Sequence, residues 1–299
     1  MRVDIKMPRS RFHIKLAVVC AMSAVTLRAI DIANAQEIKP FGQLLNVSAR
    51  LHTGTGDNVL IGGFIVNGAD SKKVIVRALG PSLTSYGVAG ALADPIVELH
   101  DHTGAIIASN DNWKDTQQSQ ILATNLAPHD DHESAIVITL APGPYTAIAR
   151  GVSNTSGVVL LEIYDLDPSA NARLGNVSAR GYVDLGDNVL IGGAILGAGN
   201  GGVNLVVARA LGPSLRSFGV QNAMQNPVLE LHNQQGTLLD SNDNWKDGNQ
   251  QAIRDNGLAP SDDNEAAIIA VLPPGAYTAI VVGKNNTTGV ALVEFYNLR

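Results

Sequence analysis

The chain repeats itself, and the same motifs occur twice in the same order. The motif Asn-Val-Ser-Ala-Arg at Asn46–Arg50 returns at Asn176–Arg180, an offset of 130 residues. From Arg77 onwards the offset is 132 and stays constant to the end, so two residues were gained in the glycine-rich stretch Gly197–Gly202. Lengthening a loop costs little free energy. The sequence therefore predicts a hairpin loop at that stretch.

A duplicated chain of this length is expected to contain two similar domains of ordinary size. Proline and small polar residues interrupt the pattern at Asp167–Asn171. We place copy one at residues 36–167 and copy two at residues 168–299. A copy of this size is expected to bury roughly two-thirds of its unfolded surface. We therefore expect each domain to fold without the other.

Residues 1–35 have the pattern of a secretory signal peptide. Five basic residues lie between Met1 and Lys15, and an apolar stretch from Leu16 to Leu27 follows them. That stretch is too short to span a bilayer, and the small residues of Ala33-Asn34-Ala35 fit a signal peptidase site. The mature protein is therefore predicted to be secreted or periplasmic, without membrane insertion after cleavage.

The predicted mature chain is acidic and has no cysteine. Cleavage removes six basic and two acidic side chains, which changes the formal net charge from −6 to −10, and it also removes the single cysteine. An acidic surface repels phosphate backbones, so nucleic acid is excluded as a partner. The missing thiols exclude a disulfide framework and a thiolate zinc site.

Apolar residues alternate with other residues in short segments throughout both copies. Val159, Leu161 and Ile163, for example, alternate with their neighbours, and Gly, Pro or Asn separate such segments. This period of two is typical of strands. Seven or eight short strands per copy, with no long alternating helices, predict an all-β fold. We expect two tandem antiparallel β-sandwiches, each with one short helix.

The helix in each copy is predicted from its end signals. Asp115 and its twin Asp247 occupy the N-cap position, with Gln three residues later as in a capping box. Asn125 and Gly257 follow, and these two residue types best tolerate the left-handed conformation that ends a helix. The predicted helices cover residues 116–124 and 248–256.

The second half of each copy has a characteristic order of features. In copy one these are the apolar strand Val97–His100, a turn at Asp101–Gly104, the Asn-Asp segment Ser109–Asn112, the strand start Pro142–Tyr145 and the closing strand Val158–Tyr164. This order resembles the bacterial pre-peptidase C-terminal (PPC) type of jelly-roll domain. The resemblance implies a non-catalytic accessory module of secreted proteins. Members sometimes bind calcium and sometimes help attachment to polymeric substrates.

Three motifs at the start of each copy are not features of PPC domains. They are Asn-Val-Ser-Ala-Arg, Gly-Asp-Asn-Val-Leu-Ile-Gly-Gly and Arg-Ala-Leu-Gly-Pro-Ser-Leu. The resemblance therefore leaves the strand order of this part open.

Acidic and amide side chains are concentrated in two loops of each copy. Calcium takes six to eight oxygen ligands from such groups, so these loops predict a calcium site. The alternative is that they are turn residues, because Asp and Asn also favour turns. The predicted ligands are Asn110, Asp111, Asp130, Asp131 and Glu133, with their twins Asn242, Asp243, Asp262, Asp263 and Glu265.

Trp113 and Trp245, the only tryptophans, follow the Asn-Asp-Asn segments. They are candidate ligand contacts that stack on a sugar face, or they form a lid that packs the loop onto the sandwich. Charged residues also occur on otherwise apolar strands, where they are normally paired. We therefore expect ion pairs among Arg77, Glu98 and Glu162, and among Arg209, Glu230 and Glu294.

No catalytic constellation is present in the sequence: the usual hydrolase, zinc-protease and nucleotide motifs are all missing. The function predicted is a non-catalytic module that attaches to an extracellular polysaccharide or protein, with calcium as its cofactor. One alternative is a glycan-active hydrolase with paired carboxylates from Glu98, Glu162, Asp111 or Asp131, which must lie about 5–10 Å apart. The other is a purely structural, calcium-stiffened spacer.

Overall fold

The structure is a computed structural model that describes residues 43–198 and 202–298. The predicted signal peptide, residues 1–35, lies outside these described residues. Within the described ranges, no helix is both long enough and apolar enough to cross a membrane.

The described part of copy one, from residue 43 onwards, contains eight strands, as its alternating segments predict. They are β1 Leu44–Thr53, β2 Leu60–Gly68, β3 Lys72–Leu79, β4 Pro95–His100, β5 Ile106–Asn110, β6 Ser134–Leu140, β7 Gly143–Gly151 and β8 Gly157–Asp165. Helix α1 spans Gln118–Leu122, and 3-10 turns occupy Gly56–Asn58, Pro81–Tyr86 and Val152–Asn154.

Copy two repeats the strands and the helix in the same order, and two of its three 3-10 turns match those of copy one. Its strands are β9 Ala172–Val183, β10 Leu190–Leu196, β11 Asn204–Leu211, β12 Pro227–Asn233, β13 Leu238–Asn242, β14 Ala266–Leu272, β15 Gly275–Gly283 and β16 Gly289–Asn297. Helix α2 spans Gln250–Asp255, and 3-10 turns occupy Pro213–Phe218, Trp245–Asp247 and Lys284–Asn286.

Within each copy the strands form two antiparallel sheets. In copy one the orders are β6-β3-β8-β1 and β2-β7-β4-β5, and in copy two they are β14-β11-β16-β9 and β10-β15-β12-β13. This is the strand order of a jelly roll. The prediction of an all-β, jelly-roll-like sandwich is confirmed.

The two copies are joined edge to edge. Strand β1 pairs with β10, and β9 pairs with β2, so each sheet of one copy continues into a sheet of the other. The result is two eight-stranded sheets, which also share a single pair between Leu44 and Leu174. We call the pairs β1–β10 and β2–β9 the seam.

The interior is continuous across the seam. One cluster of buried apolar residues includes Leu51 and Leu161 of copy one together with Val293 and Phe295 of copy two. A Cβ atom on Gly181 would lie 1.9 Å from Cδ2 of Leu51, so this leucine of copy one requires a glycine on β9. Strand pairing and core packing therefore cross the boundary between the copies. The expectation that each copy folds without the other stays a prediction.

The glycine-rich insertion does not form the predicted hairpin loop. It connects β10 to β11, and these two strands belong to different sheets. Residues 199–201, in the middle of the connection, lie outside the described ranges.

The helices are shorter than predicted, and aspartate does not cap them. The side chain of Asp115 instead accepts a hydrogen bond from the amide of Asn112, at 3.3 Å. Gln117, just before α1, pairs with the backbone N–H and C=O of Val137 on β6, at 2.9 and 2.8 Å. The predicted left-handed ends are confirmed, with φ values of 58° at Asn125 and 70° at Gly257.

Candidate functional site

The predicted calcium ligand Glu133 is completely buried, and both of its carboxylate oxygens accept hydrogen bonds from the protein. Its Oε1 accepts hydrogen bonds from the backbone N–H groups of Gly80 and Ser82, at 2.9 and 3.0 Å, and from the hydroxyl of Ser82, at 2.5 Å. Its Oε2 accepts a bond from the N–H of Asp130 at 3.3 Å. The carboxylate therefore holds the Gly-Pro-Ser turn of the Arg-Ala-Leu-Gly-Pro-Ser-Leu motif against the loop.

Copy two repeats this arrangement at Glu265. Its Oε1 accepts bonds from the N–H groups of Gly212 and Ser214, at 2.9 and 3.0 Å, and its Oε2 accepts one from Asp262 at 3.4 Å. Glutamate is thus a structural anchor in both copies. Its oxygens are engaged by backbone donors, which a cation would have to displace.

The amides of the predicted site also have structural partners. Asn110 accepts a hydrogen bond from the N–H of Ala135 at 2.9 Å and donates one to the carbonyl of Asn112 at 3.0 Å. Asn242 makes the corresponding bonds to Ala267 and Asn244, at 2.9 and 3.0 Å. These side chains tie the strand end to the neighbouring loop, as the turn interpretation predicts.

The predicted aspartate ligands point to separate partners. Asp130 accepts a hydrogen bond from the N–H of His132 at 3.0 Å. This bond lowers the pKa of the Asp130 carboxyl, although burial acts in the opposite direction. Asp262 accepts the equivalent bond from Asn264 at 2.9 Å. Asp131 and Asp263 form surface ion pairs with Lys114 and Lys246 respectively. Among the residues that the structure describes, no group of three or more His, Cys, Asp or Glu is placed to hold a metal ion.

The tryptophans act as lids. Trp113 is 5% exposed and donates its indole N–H to the carbonyl of Asp130 at 3.0 Å. It packs with Ile75, Ile121 and Val137, where the loop and α1 cover the outer face of the sheet. Trp245, 4% exposed, makes the same hydrogen bond to Asp262 at 3.1 Å. Neither ring presents an open face on which a sugar would stack.

One ion pair of the predicted kind is present in each copy. Arg77 pairs with Glu162, and it also donates to the carbonyl of Leu126 at 2.6 Å. Burial, reinforced by Glu162, raises the pKa of the neighbouring Tyr164 to about 12. Copy two has the same network around Arg209 and Glu294, with burial raising the pKa of its tyrosine in the same direction.

Glu98 is also paired, as expected for a charge on an apolar strand. It pairs with Arg150, a residue of β7, and not with Arg77. In copy two Glu230 pairs with His232 at 2.9 Å. The sequence could not show the partner of Glu98, because that partner lies on β7, the strand beside β4.

One polar cluster differs between the copies, and it includes a residue that sequence analysis missed. Asp94 and Asp111 each have a buried carboxylate oxygen without a hydrogen-bond partner in the described structure. Burial, followed by the charges of Asp94 and Asp115, raises the pKa of Asp111. In copy two Asp243 pairs with Lys284. A difference between the two copies could have revealed this cluster from the sequence. Aligning the copies places Asn226 at the position of Asp94, and Lys284 at the position of a valine.

The two outermost hairpins carry exposed aliphatic side chains. Ile106 and Ile107 on β5 are 57% and 40% exposed, and Leu238 and Leu239 on β13 are 51% and 44% exposed. Each strand is the last of its eight-stranded sheet. We call these two pairs the terminal patches. They lie at opposite ends of the two-copy body because the copies meet at the other edges of their sheets.

Comparison with known proteins adds little to this geometry. No protein-family model matches the chain, and no curated protein matches it. A chain from the atomic structure of Sulfolobus Turreted Icosahedral Virus aligns over 85% of this chain and 82% of its own length. The two are 10% identical and the TM-score is 0.23, which is too low to carry an argument about fold or function.

Proposed function

We propose that this protein is a non-catalytic, two-ended attachment module of the secreted or periplasmic compartment, as the resemblance to PPC domains implies. One observation carries the proposal: a pair of exposed aliphatic side chains occurs at the equivalent positions of β5 and β13, one at each end of the molecule. The proposed partner is an extracellular polymer, either a polysaccharide or a fibrous protein, which offers many equivalent contact points.

Edge strands with exposed apolar side chains are usually blunted or covered by a partner. Here the strands have only five residues, and a register shift interrupts the pairing of β4 with β5 and of β12 with β13. Such irregularity opposes the addition of a further strand through the backbone. The terminal patches are therefore proposed to bind through their side chains.

Two patches on one rigid body favour a polymeric partner. Once the first patch is bound, the second contact is intramolecular, and linked weak contacts of this kind gain about 10²- to 10⁴-fold in avidity. An acidic protein also avoids phosphate-rich surfaces. This combination fits attachment to an uncharged or basic polymer.

Three of the four carboxylates weighed for a glycan hydrolase are engaged in other contacts, and the fourth, Asp111, has a buried oxygen without a hydrogen-bond partner in the described structure. Glu162 is nine-tenths buried against Arg77, and Glu98 is paired with Arg150. Asp131 is exposed and paired with Lys114. Such a hydrolase needs one free carboxylic acid and one free carboxylate facing the same cleft. These pairings favour the binding module over the hydrolase.

The experiment is a co-sedimentation screen of residues 36–299 with insoluble polysaccharides, cell-wall material and collagen-like fibres. Lysine pairs at Ile106/Ile107 or at Leu238/Leu239 are each expected to weaken binding at least tenfold, and the combined variant is expected to abolish it. Leu185→Lys, at an exposed residue outside both patches, is the matched control and is expected to bind normally. Hydrolysis without stable binding, or binding that is unchanged in the combined variant, would refute the proposal.

A further inference from the structure

Two of the three motifs that are not PPC features form the seam. Asn-Val-Ser-Ala-Arg lies on β1 and, in copy two, on β9. Leu-Ile-Gly-Gly, the end of the second motif, lies on β2 and β10. The third motif contains the turn that Glu133 holds. Two of the three duplicated motifs at the start of each copy therefore lie where the copies contact each other.

Two glycines of the seam, one in each copy, face a serine of the opposite copy. Gly193 of β10 lies opposite Ser48 of β1, and a Cβ atom on this glycine would lie 2.3 Å from the Ser48 Oγ. Gly63 of β2 lies opposite Ser178 of β9, and its Cβ atom would lie 2.6 Å from the Ser178 Oγ. A larger residue at either glycine would displace the facing serine.

The two halves of the seam have the same register. Arg50 lies opposite Ile191, and its twin Arg180 lies opposite Ile61, the twin of that isoleucine. The seam is thus related to itself by a pseudo-twofold axis, as in an isologous dimer interface, where one surface is complementary to its own copy. A surface of this kind accepts a second repeat whether or not a peptide connects the two.

We propose that the repeat is a self-pairing unit: its β1 and β2 edges bind the β2 and β1 edges of a second repeat. In this protein the second repeat is copy two of the same chain. The connection between the copies, residues 166–171, then sets the local concentration of the partner but does not hold the halves together. A chain with a single such repeat is expected to pair with another chain in the same way.

A pair of engineered cysteines tests the pairing in the full chain. The Cβ position of Gly193 lies 3.7 Å from the Cβ of Ser48, within the range of about 3.5–4.5 Å found in disulfides. Ser48→Cys with Gly193→Cys is expected to form an intramolecular disulfide in nearly all molecules after mild oxidation. Mass spectrometry of a proteolytic digest identifies the bond.

The matched control moves the second cysteine to the same motif of the same copy. Ser48→Cys with Gly63→Cys is expected to remain reduced within the chain, because β1 and β2 of one copy lie in different sheets. If this control forms the disulfide and the cross-copy pair does not, each copy is closed on itself and the proposal is wrong.

A cut between the copies tests whether the halves hold together. A protease site inserted at the exposed turn Pro168–Ser169 allows cleavage of the folded protein, and the uncut insertion variant is the control for folding. After cleavage the halves are expected to co-elute as a one-to-one complex at micromolar concentration, and to separate only in denaturant. Separation into two species under native conditions would overturn the proposal.

Discussion

Replacing Glu133 by glutamine is expected to lower the free energy of unfolding by about 2 kcal/mol. Its Oε1 accepts three hydrogen bonds within the buried turn, two of them from Gly80 and Ser82 backbone N–H groups. Bonds to a charged group are worth about 1.5–3 kcal/mol and neutral ones about 0.5–1.5 kcal/mol, so losing the charge costs roughly 1 kcal/mol per bond. Relief of the desolvation of a buried carboxylate offsets part of that loss.

This prediction is tested by thermal and urea unfolding at neutral pH. For a protein of this size a loss of 2 kcal/mol corresponds to a fall in melting temperature of about 4–8 °C. Asp131→Asn, which removes an exposed carboxylate from the same loop, is the control and is expected to cost less than about 1 kcal/mol. The reasoning is refuted if Glu133→Gln costs no more than this control.

The shared core adds a second expectation to the same experiment. Glu265→Gln removes the equivalent anchor from copy two and is expected to have an effect of similar size. Because one buried cluster spans both copies, each variant is expected to lower a single common transition. Two transitions, of which only one moves, would show that the copies unfold separately.

Three further predictions concern charged groups and calcium. Burial raises the pKa of Asp111, so its contribution to stability is present below its unfolded value near 3.8 and is lost as the pH rises through its folded pKa. Asp111→Asn is therefore expected to raise the melting temperature at neutral pH but not in acid. Asp243→Asn breaks an ion pair with Lys284 and is expected to lower the melting temperature at neutral pH. Equal shifts in the two variants would contradict this reasoning. Lys72 and Asp165 form a buried ion pair. Replacing either residue by Asn is expected to lower the free energy of unfolding by about 3–5 kcal/mol, because the other charge is left buried without a partner. The double replacement reproduces the asparagine pair of copy two, and urea titrations are expected to show a much smaller loss. Chelator is expected to leave the melting temperature of residues 36–299 unchanged. A clear fall in the melting temperature would instead show that a bound metal ion, such as the predicted calcium, stabilises the protein.

Local patterns were sufficient to predict the elements of this fold. Alternating apolar residues identified the strands, because a strand buries one face and the period of two appears directly in the sequence. Asn125 and Gly257 marked the helix ends for a similar reason, since few residues tolerate a positive φ. The pairing of Arg77 with Glu162 was predictable because a charge on a buried strand requires a partner.

The candidate site was predicted less well because its contacts are distant in sequence. Glu133 resembled a metal ligand, but its donors come from a turn more than fifty residues earlier. The spacing of acidic residues shows which loops are polar and does not show which backbone N–H groups face them. The terminal patches were also missed, since Ile106 and Ile107 look like any buried strand until the sheet order places β5 at an edge.

The sequence by itself determined that the protein is a duplicated, all-β body, because repetition and strand periodicity are properties of neighbouring residues. Only the tertiary structure decided that the copies share their sheets and their core. Strand edges carry backbone donors and acceptors that are the same for every residue, so the sequence of β1 does not specify whether it pairs with its own copy or the other. In the structure one edge of β1 pairs with β8 of its own copy, and its other edge pairs with β10 of the other copy, where Ser48 faces Gly193.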